Sequence, residues 1–370
     1  MHKSSLPLVC LINRNFPPVD GATGYYAKIL LERLEERGYR TIVVTIGEER
    51  STDSIIYLKP KYRTGSKLKR LIGSYIESKQ LILKSMSLQA NAYLVMTDPA
   101  LLNYWASRRL KSEKWILWSM DLYPEAFVAN GLSSIKSPMY RYYQEVIRRG
   151  RPSYVLALGP NQLNCLQNTY YPDVMGSWLP IGLRQHEGRE LGKDPHGSLC
   201  AGYVGNVGEA HDPQLIAEAL ISLKSKGYRI ILRCYGIGSK SLKDMLADHD
   251  IHQSGFLAES DLSSIDIHIV SLKKDWTHVC VPSKAISAVQ SGNVILFIGE
   301  EESDTWQYLQ GAGWRISSQK DIETVIAQIK PTEVYHKKQF ARELAIKLEE
   351  DYEYGLSKFF AFLDGLKTKR

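Results

Sequence analysis

Several stretches of the chain carry residue types that could handle a charged ligand. The most pointed is 273–287, reading Lys273-Lys274-Asp-Trp-Thr-His-Val-Cys-Val-Pro-Ser283-Lys284-Ala-Ile-Ser287. An apolar strand pattern ends in two lysines, and a loop then leads to Pro-Ser-Lys where a helix begins. Ser283 has the residue type of an N-cap. Lys284 in the first turn works against the helix dipole, which favours anions there. A cation at that place is better suited if an anion such as a phosphate also binds; a solvated lysine would look the same in sequence.

Three other segments offer related chemistry. In Trp118-Ser-Met-Asp121-Leu-Tyr-Pro-Glu125 two carboxylates follow an apolar strand, and ligands of open α/β sheets sit at the carboxyl ends of strands. The competing reading makes Asp121 a turn cap and Glu125 a partner of the helix dipole. Phe16-Pro-Pro-Val-Asp-Gly21-Ala-Thr-Gly24 opens directly into a helix, whose free N–H groups suit a phosphate. It is neither a GxGxxG nor a GxxxxGK[ST] loop, and an ordinary strand-to-helix turn would use the same residues. Gly202-Tyr-Val-Gly205-Asn206-Val-Gly208 has glycines for close approach to a ligand or for a positive-φ turn. His211 and His278 stand without an HxxxH or HExxH pattern, so no metal ligands are expected. No Gly-x-Ser-x-Gly elbow occurs, and no cysteine has an obvious histidine partner.

The elements that must position these residues form two series. A length of 370 residues, 44% hydrophobic, exceeds one ordinary core. The apolar fraction rules out a disordered chain. Cys10, Cys165, Cys200, Cys234 and Cys280 are scattered singly, which argues against a disulfide framework or a cysteine zinc site and fits a reducing compartment. No apolar run approaches the ~18 residues of a membrane span. The run 6–12 could pass for a short signal segment, but Asn13-Arg14-Asn15 follows it, and a buried first strand is the better reading. Strands are predicted at 7–11, 41–46, 92–96, 115–118 and 154–158, with a helix at 25–37 stopped by Gly38. Residues 181–198 are polar and glycine-rich, as in a linker. A second series follows, with strands at 199–204, 229–235, 265–272 and 294–298 and helices at 213–226, 241–248 and 283–290. The tail 333–366 is helical in pattern, with Phe359, Phe360 and Phe362 clustered. This βαβα order predicts an α/β protein of two Rossmann-like domains with a cleft between them. The expected domains are 1–182 on the acceptor side, 183–332 binding the donor, and C-terminal helices over 333–370 that pack back toward the first domain.

The ordered set of segments resembles a known family. It is similar to GT-B glycosyltransferases of the large retaining family 4-like group that uses nucleotide sugars, most particularly bacterial fucosaminyltransferase-type enzymes of O-antigen and capsule synthesis. The resemblance runs through Phe16-Pro-Pro, Gly21 and Gly24, then Asp121-Leu-Tyr-Pro-Glu125 with Gly131-Leu132, similar to the family's DLWPE…GL. It continues through Tyr203-Val-Gly-Asn-Val-Gly208, Tyr235-Gly-Ile-Gly238, Ser254-Gly255-Phe256 and Val281-Pro-Ser-Lys284. It implies a GT-B fold and transfer of a sugar from a nucleotide diphospho-sugar, UDP-linked, to a lipid-linked or polysaccharide acceptor with retention. It implies that Asp121 and Lys284 are catalytic, with Asp121 and Glu125 on the acceptor side. Donor contacts would come from Gly21, Gly24, Gly205, Asn206, Gly236, Gly238, Gly255, Lys273, Lys274, Ser283, Lys284 and Ser287. No cofactor or metal is expected. The sequence departs from the family at three points, one of them the linker, where the usual Pro-Asn-Gly reads Pro180-Ile-Gly182. Val279 and Ser287 stand where two glutamates seven residues apart are usual, and Asn206 stands at the arginine of the usual diphosphate loop. These departures motivate an alternative, a non-catalytic GT-B protein that binds a nucleotide sugar or a protein partner.

Charge adds a surface expectation. The net charge is +7. Residues 1–180 hold 24 Lys+Arg against 14 Asp+Glu, and residues 181–370 hold 23 against 26. The basic half would face an anionic partner, membrane or nucleic acid, or simply water; no nucleic-acid module is present. Lys59, Lys61, Arg63, Lys67, Lys69, Arg70, Lys79 and Lys84 share one stretch with the single acid Glu77. Leu68, Leu71, Ile72, Tyr75, Ile76, Ile82 and Leu83 recur there at helical spacing, as in a helix lying on an anionic leaflet or one packed on the core with a solvated basic rim. The expected location is cytoplasmic, peripheral on the inner membrane face.

Overall fold

A computed structural model describes residues 6–18, 22–61, 67–183, 199–249, 251–253 and 264–367. The chain forms two compact units. The first comprises Met1–Leu179 with Gly355–Arg370, the second Pro180–Tyr354.

In the first unit the strands are β1 (Leu8–Ile12), β2 (Arg40–Ile46), β3 (Ile55–Leu58), β4 (Ala92–Val95), β5 (Trp115–Trp118), β6 (Tyr154–Ala157) and β7 (Gly176–Trp178). They form one parallel sheet in the order β3-β2-β1-β4-β5-β6-β7. β4, β5 and β6 are uninterrupted apolar runs, AYLV, WILW and YVLA, buried at every position. That is the signature of strands covered by helices on both faces. The helices are α1 (Ala22–Glu36), α2 (Lys67–Met86), α3 (Leu102–Arg109), α4 (Glu125–Ala129), α5 (Pro138–Arg149) and α6 (Pro160–Thr169). α1 stops where Gly38 turns at φ +81 and its N–H closes on Glu35 O at 2.8 Å. Strands β3 and β7 go beyond the sequence reading. β3 is half-buried throughout and β7 has three residues, too short to show a period.

The second unit repeats the plan. Its strands are β8 (Cys200–Asn206), β9 (Arg229–Tyr235), β10 (His252–Gln253), β11 (Ile267–Ser271), β12 (Val294–Ile298) and β13 (Gly313–Ile316), parallel in the order β10-β9-β8-β11-β12-β13. Helices α7 (Pro213–Ser225), α8 (Ser239–Met245), α9 (Ser283–Gln290), α10 (Asp304–Leu309), α11 (Ile322–Gln328) and α12 (Pro331–Lys367) complete it. Asp212 caps α7, its Oδ1 accepting from Gln214 N and Leu215 N. The core gathers Tyr203, Ile216, Leu220, Leu232, Ile267 and Leu296.

The last helix, α12, is divided between the units at Tyr354 and Gly355. Within the second unit its Lys338, wholly buried, donates to Asp266 Oδ1 at 2.7 Å, while Asp266 Oδ2 accepts from Cys200 N at 2.8 Å. Within the first unit Phe359 is buried, Phe362 stacks on Tyr154 at 4.6 Å, and Asp364 pairs with Arg37 at 3.0 Å. Gly21, Gly255 and most of the 181–198 segment lie outside the described residues.

Candidate functional site

Both sheets reverse their strand order after the first strand is laid down, between β1 and β4 and between β8 and β11. Such switch points open a crevice at the carboxyl ends of the strands. Asp121 in the first unit, and Asn206 and Lys284 in the second, lie at these ends.

In the first unit, one hydroxyl ties two strand ends together. Thr97, just past β4, accepts at Oγ1 from Met120 N and Asp121 N, both at 3.0 Å and just past β5. Asp98 is bound from the end of β1. Arg14 N donates to its carbonyl at 2.7 Å, and Asn15 Nδ2 donates to its Oδ2 at 2.7 Å. Burial pushes the Asp121 carboxyl up to about 7, and the neighbouring Asp98 charge adds to the shift. Burial pushes Asp98 up to about 6, against the pull of Arg14, with the Glu77 charge adding to the rise. The result is a pair of carboxyls that hold protons far more tightly than ordinary aspartates.

Glu125 faces a different neighbourhood. Its Oε1 accepts from Tyr140 OH at 3.0 Å and from Tyr170 OH, and Gln144 donates to both phenolic oxygens. Desolvation raises its pKa, against the tyrosine hydrogen bonds. Gly24 lies inside α1, where a Cβ would meet Asn15 O at 2.9 Å. Its bareness therefore lets α1 seat against the Asn15 segment.

In the second unit the centre is Lys284. Its Nζ donates to Tyr203 OH at 2.6 Å, lies 3.5 Å from His211 Nε2, and sits 4.1 Å from the centroid of the Tyr203 ring. Among the described residues no carboxylate forms an ion pair with it. Desolvation lowers its pKa to about 7. His211 is lowered to about 3, by burial first and then by the Lys284 charge. Burial raises the Tyr203 phenol.

The other predicted donor residues divide into groups. Gly205 turns at φ +122 and leads to the exposed Asn206. Gly236, at φ +94, packs so closely on the Asn206 side chain that a Cβ would collide with its Oδ1. Gly238 N donates to Val207 O at 2.9 Å. These residues therefore form one cluster at the carboxyl ends of β8 and β9. Lys273 turns back onto that loop, its Nζ donating to Glu209 O at 3.1 Å. Lys274 faces Glu300 at 3.8 Å instead. Ser287 Oγ donates to Gly182 O at 2.8 Å, so the hydroxyl is committed to the chain.

Ser283 is not the N-cap the sequence suggested. Pro282 takes that place, at φ −63 and ψ 107, and supplies no side-chain acceptor to the helix start. The proline ring already fixes an extended entry, which moves the helix boundary one residue earlier.

Three residues were missed by the sequence reading. Asp98 carried a signal, since Thr97-Asp98-Pro99 directly follows a predicted strand. Tyr203 appeared only as part of a glycine motif. His211 carried none, because its partners Ser271 and Lys284 are remote in sequence. Among the described residues no three His, Cys, Asp or Glu side chains gather as a metal-ion site.

Two Rossmann-like units of this kind make the fold GT-B. Solved structures match it over almost the whole chain. Sucrose-phosphate synthase from Thermosynechococcus elongatus matches with a TM-score of 0.73 and 13% identity, covering 98% of this chain and 100% of its own. WaaG, a glycosyltransferase involved in lipopolysaccharide biosynthesis, matches at 0.65 and 15%, covering 94% and 98%. A glycosyltransferase from Rickettsia africae ESF-5 matches at 0.63 and 12%, covering 99% and 100%. No protein-family model and no curated protein matches the sequence. At such identities the likeness establishes the fold.

Proposed function

We propose that the chain is a glycosyltransferase that moves a sugar from a nucleotide diphospho-sugar, UDP-linked, to a lipid-linked or polysaccharide acceptor, with retention at the anomeric carbon. The observation that carries this reading is Lys284, a desolvated cation held by neutral partners at the carboxyl ends of β8 and β11. A buried charge without a counter-ion is costly. An incoming diphosphate supplies that counter-ion, and the uncapped start of α9 adds free N–H groups. As the bond from the sugar to the diphosphate breaks, the leaving oxygens gain charge. A fixed ammonium and a helix start stabilise that charge without having to reorganise.

On the acceptor side the working group is Asp121. A carboxyl with a pKa near 7 is matched to proton transfer at neutral pH. It hydrogen-bonds the acceptor hydroxyl and takes its proton as that oxygen bonds the anomeric carbon on the face from which the diphosphate departs, which gives retention. The test is transfer from a panel of nucleotide sugars to lipid-linked acceptors, followed as released nucleoside diphosphate and as the anomeric signal of the product. Binding of nucleotide sugar without turnover would instead support the non-catalytic alternative. WaaG is involved in lipopolysaccharide biosynthesis, which favours lipid-linked acceptors for the first trials; the fucosaminyltransferase-type activity rests on the sequence resemblance.

A second observation favours contact with a membrane surface. Among the described residues no helix is long and apolar enough to cross a membrane. The inner face of α2 is largely polar, with Ser74, Glu77, Ser78 and Ser85 buried beside Leu81 and Ile82. Its outer face exposes Ile72, Tyr75, Leu83 and Met86 together with Lys69, Arg70, Lys79 and Lys84. The one acid of the stretch, Glu77, is turned inward to Lys61 N and Arg14. An outward face of apolar, aromatic and basic residues suits an anionic leaflet. Flotation with anionic vesicles should be salt-sensitive, and failure to float at low salt would end this reading.

A further inference from the structure

We propose that Tyr203 and His211 are positioning residues for Lys284, holding its ammonium so that one N–H points to the phosphates of a nucleoside diphosphate. The inference rests on Lys284 as the donor-phosphate ligand and deepens that reading.

The argument follows hydrogens along a chain of bonds. His211 Nδ1 lies 2.7 Å from Ser271 O. A carbonyl only accepts, so Nδ1 carries the hydrogen. The neutral ring then presents Nε2 as a lone pair, and that lone pair faces Lys284 Nζ at 3.5 Å. Tyr203 repeats the logic. Its hydroxyl donates to Asn206 O at 2.8 Å, so its oxygen is left to accept from Lys284 at 2.6 Å.

Two backbone carbonyls at the ends of adjacent strands thus fix a tautomer and a hydroxyl rotor. These in turn engage two of the three ammonium hydrogens. The third has no acceptor among the described residues. A flexible lysine normally loses much rotamer entropy on binding an anion. Here the protein meets that cost in advance.

The charge balance points the same way. The groups that face Lys284 are Tyr203 from β8, His211 from the loop before α7, and Cys280 from the segment before α9. Lys273 acts on His211 from the end of β11. None is a carboxylate. His211 stays neutral through the working pH range because burial and two lysines oppose its proton. Near pH 7 the Lys284 amine is only partly protonated, so a diphosphate draws a proton from solution as it binds.

The test is calorimetric titration at pH 7 with UDP, GDP, ADP and dTDP, taking the tightest forward in buffers of different ionisation enthalpy. Wild-type protein should take up a fraction of a proton at pH 7 and release one at pH 5.5. There Lys284 is already charged and the terminal phosphate, with a second pKa of about 6, gives up its own proton on pairing. Tyr203→Phe and His211→Leu should each weaken binding several-fold to tenfold. His211→Gln, whose amide oxygen can replace Nε2, should recover most of the loss. A merely structural role for His211 would leave proton uptake unchanged and show no rescue. Lys284→Ala separates the two levels of the argument. If it abolishes tight binding while Tyr203→Phe and His211→Leu bind like wild type, Lys284 needs no positioning and the inference is wrong. If Lys284→Ala itself binds like wild type, the donor-phosphate reading fails and the inference with it.

Discussion

The two switch points occupy the same place in the same strand order, yet they collect opposite charge. Past β4 and β5 stand Asp98 and Asp121, both carboxyls pushed toward the protonated form by burial. Past β11, in the first turn of α9, stands Lys284, an ammonium pushed toward the neutral form by the same cause. Around the acids lie a hydroxyl and an amide that organise the backbone, Thr97 and Asn15. Around the lysine lie neutral acceptors, Tyr203 and His211. The strand order provides a location, and the side chains alone decide which charge develops there. In the proposed function one end receives a proton and the other an anion.

The largest expected effect breaks the acid side. Asp121→Asn keeps the shape and loses the proton acceptor, so kcat should fall by about 10²–10⁴ in a transfer assay, with donor binding unchanged. The next effect breaks the basic side. A hydrogen bond to a charged group contributes roughly 1.5–3 kcal/mol, so Lys284→Ala should weaken nucleoside-diphosphate binding by about ten- to a hundredfold, read by calorimetry. A finer prediction separates the two acids. Asp98→Asn removes the like charge that helps raise Asp121. The acid limb of the kcat/KM profile should therefore move to lower pH, while the profile's height at neutral pH changes little.

The smallest effect is on stability, and its sign differs between the two ends. Asp98 and Asp121 are raised from 3.8 to about 6 and about 7 in the folded chain. Their contribution is fully present below the unfolded value and is lost as pH rises through 7. Lys284 is lowered from 10.5 to about 7. Its contribution is present above the unfolded value and is lost as pH falls through 7. The urea midpoint of Asp98→Asn/Asp121→Asn should fall less between pH 4 and 7 than that of wild type. Lys284→Met should lose less on going from pH 9 to 6, and should be the more stable protein at pH 6.

Much of this plan could be read from the residues. The apolar runs of β4, β5 and β12 announced buried parallel strands, and Gly38 announced a helix end. Asp121 and Lys284 could be singled out as candidates because each sits at a strand or helix boundary with a charge that local structure does not require. Strand β7 was not legible, since three residues carry no period. The Ser283 cap failed because a proline before it can take the boundary position without any side-chain acceptor. His211 was invisible because its role is made by tertiary contacts. Ser271 is 60 residues away and Lys284 is 73, and only the neighbouring strands β8 and β11 bring them together. Glu125 read as an acceptor-side carboxylate, yet its hydrogen bonds come from Tyr140 and Tyr170, residues no local pattern links to it.

The division of labour between the two ends is the central claim, and one titration tests it most directly. Nucleoside diphosphate is titrated into wild type, Asp121→Asn and Lys284→Ala under the same conditions. The account predicts equal affinity in wild type and Asp121→Asn, and a loss of about ten- to a hundredfold in Lys284→Ala. Equal affinity in wild type and Lys284→Ala, or a loss confined to Asp121→Asn, would contradict it.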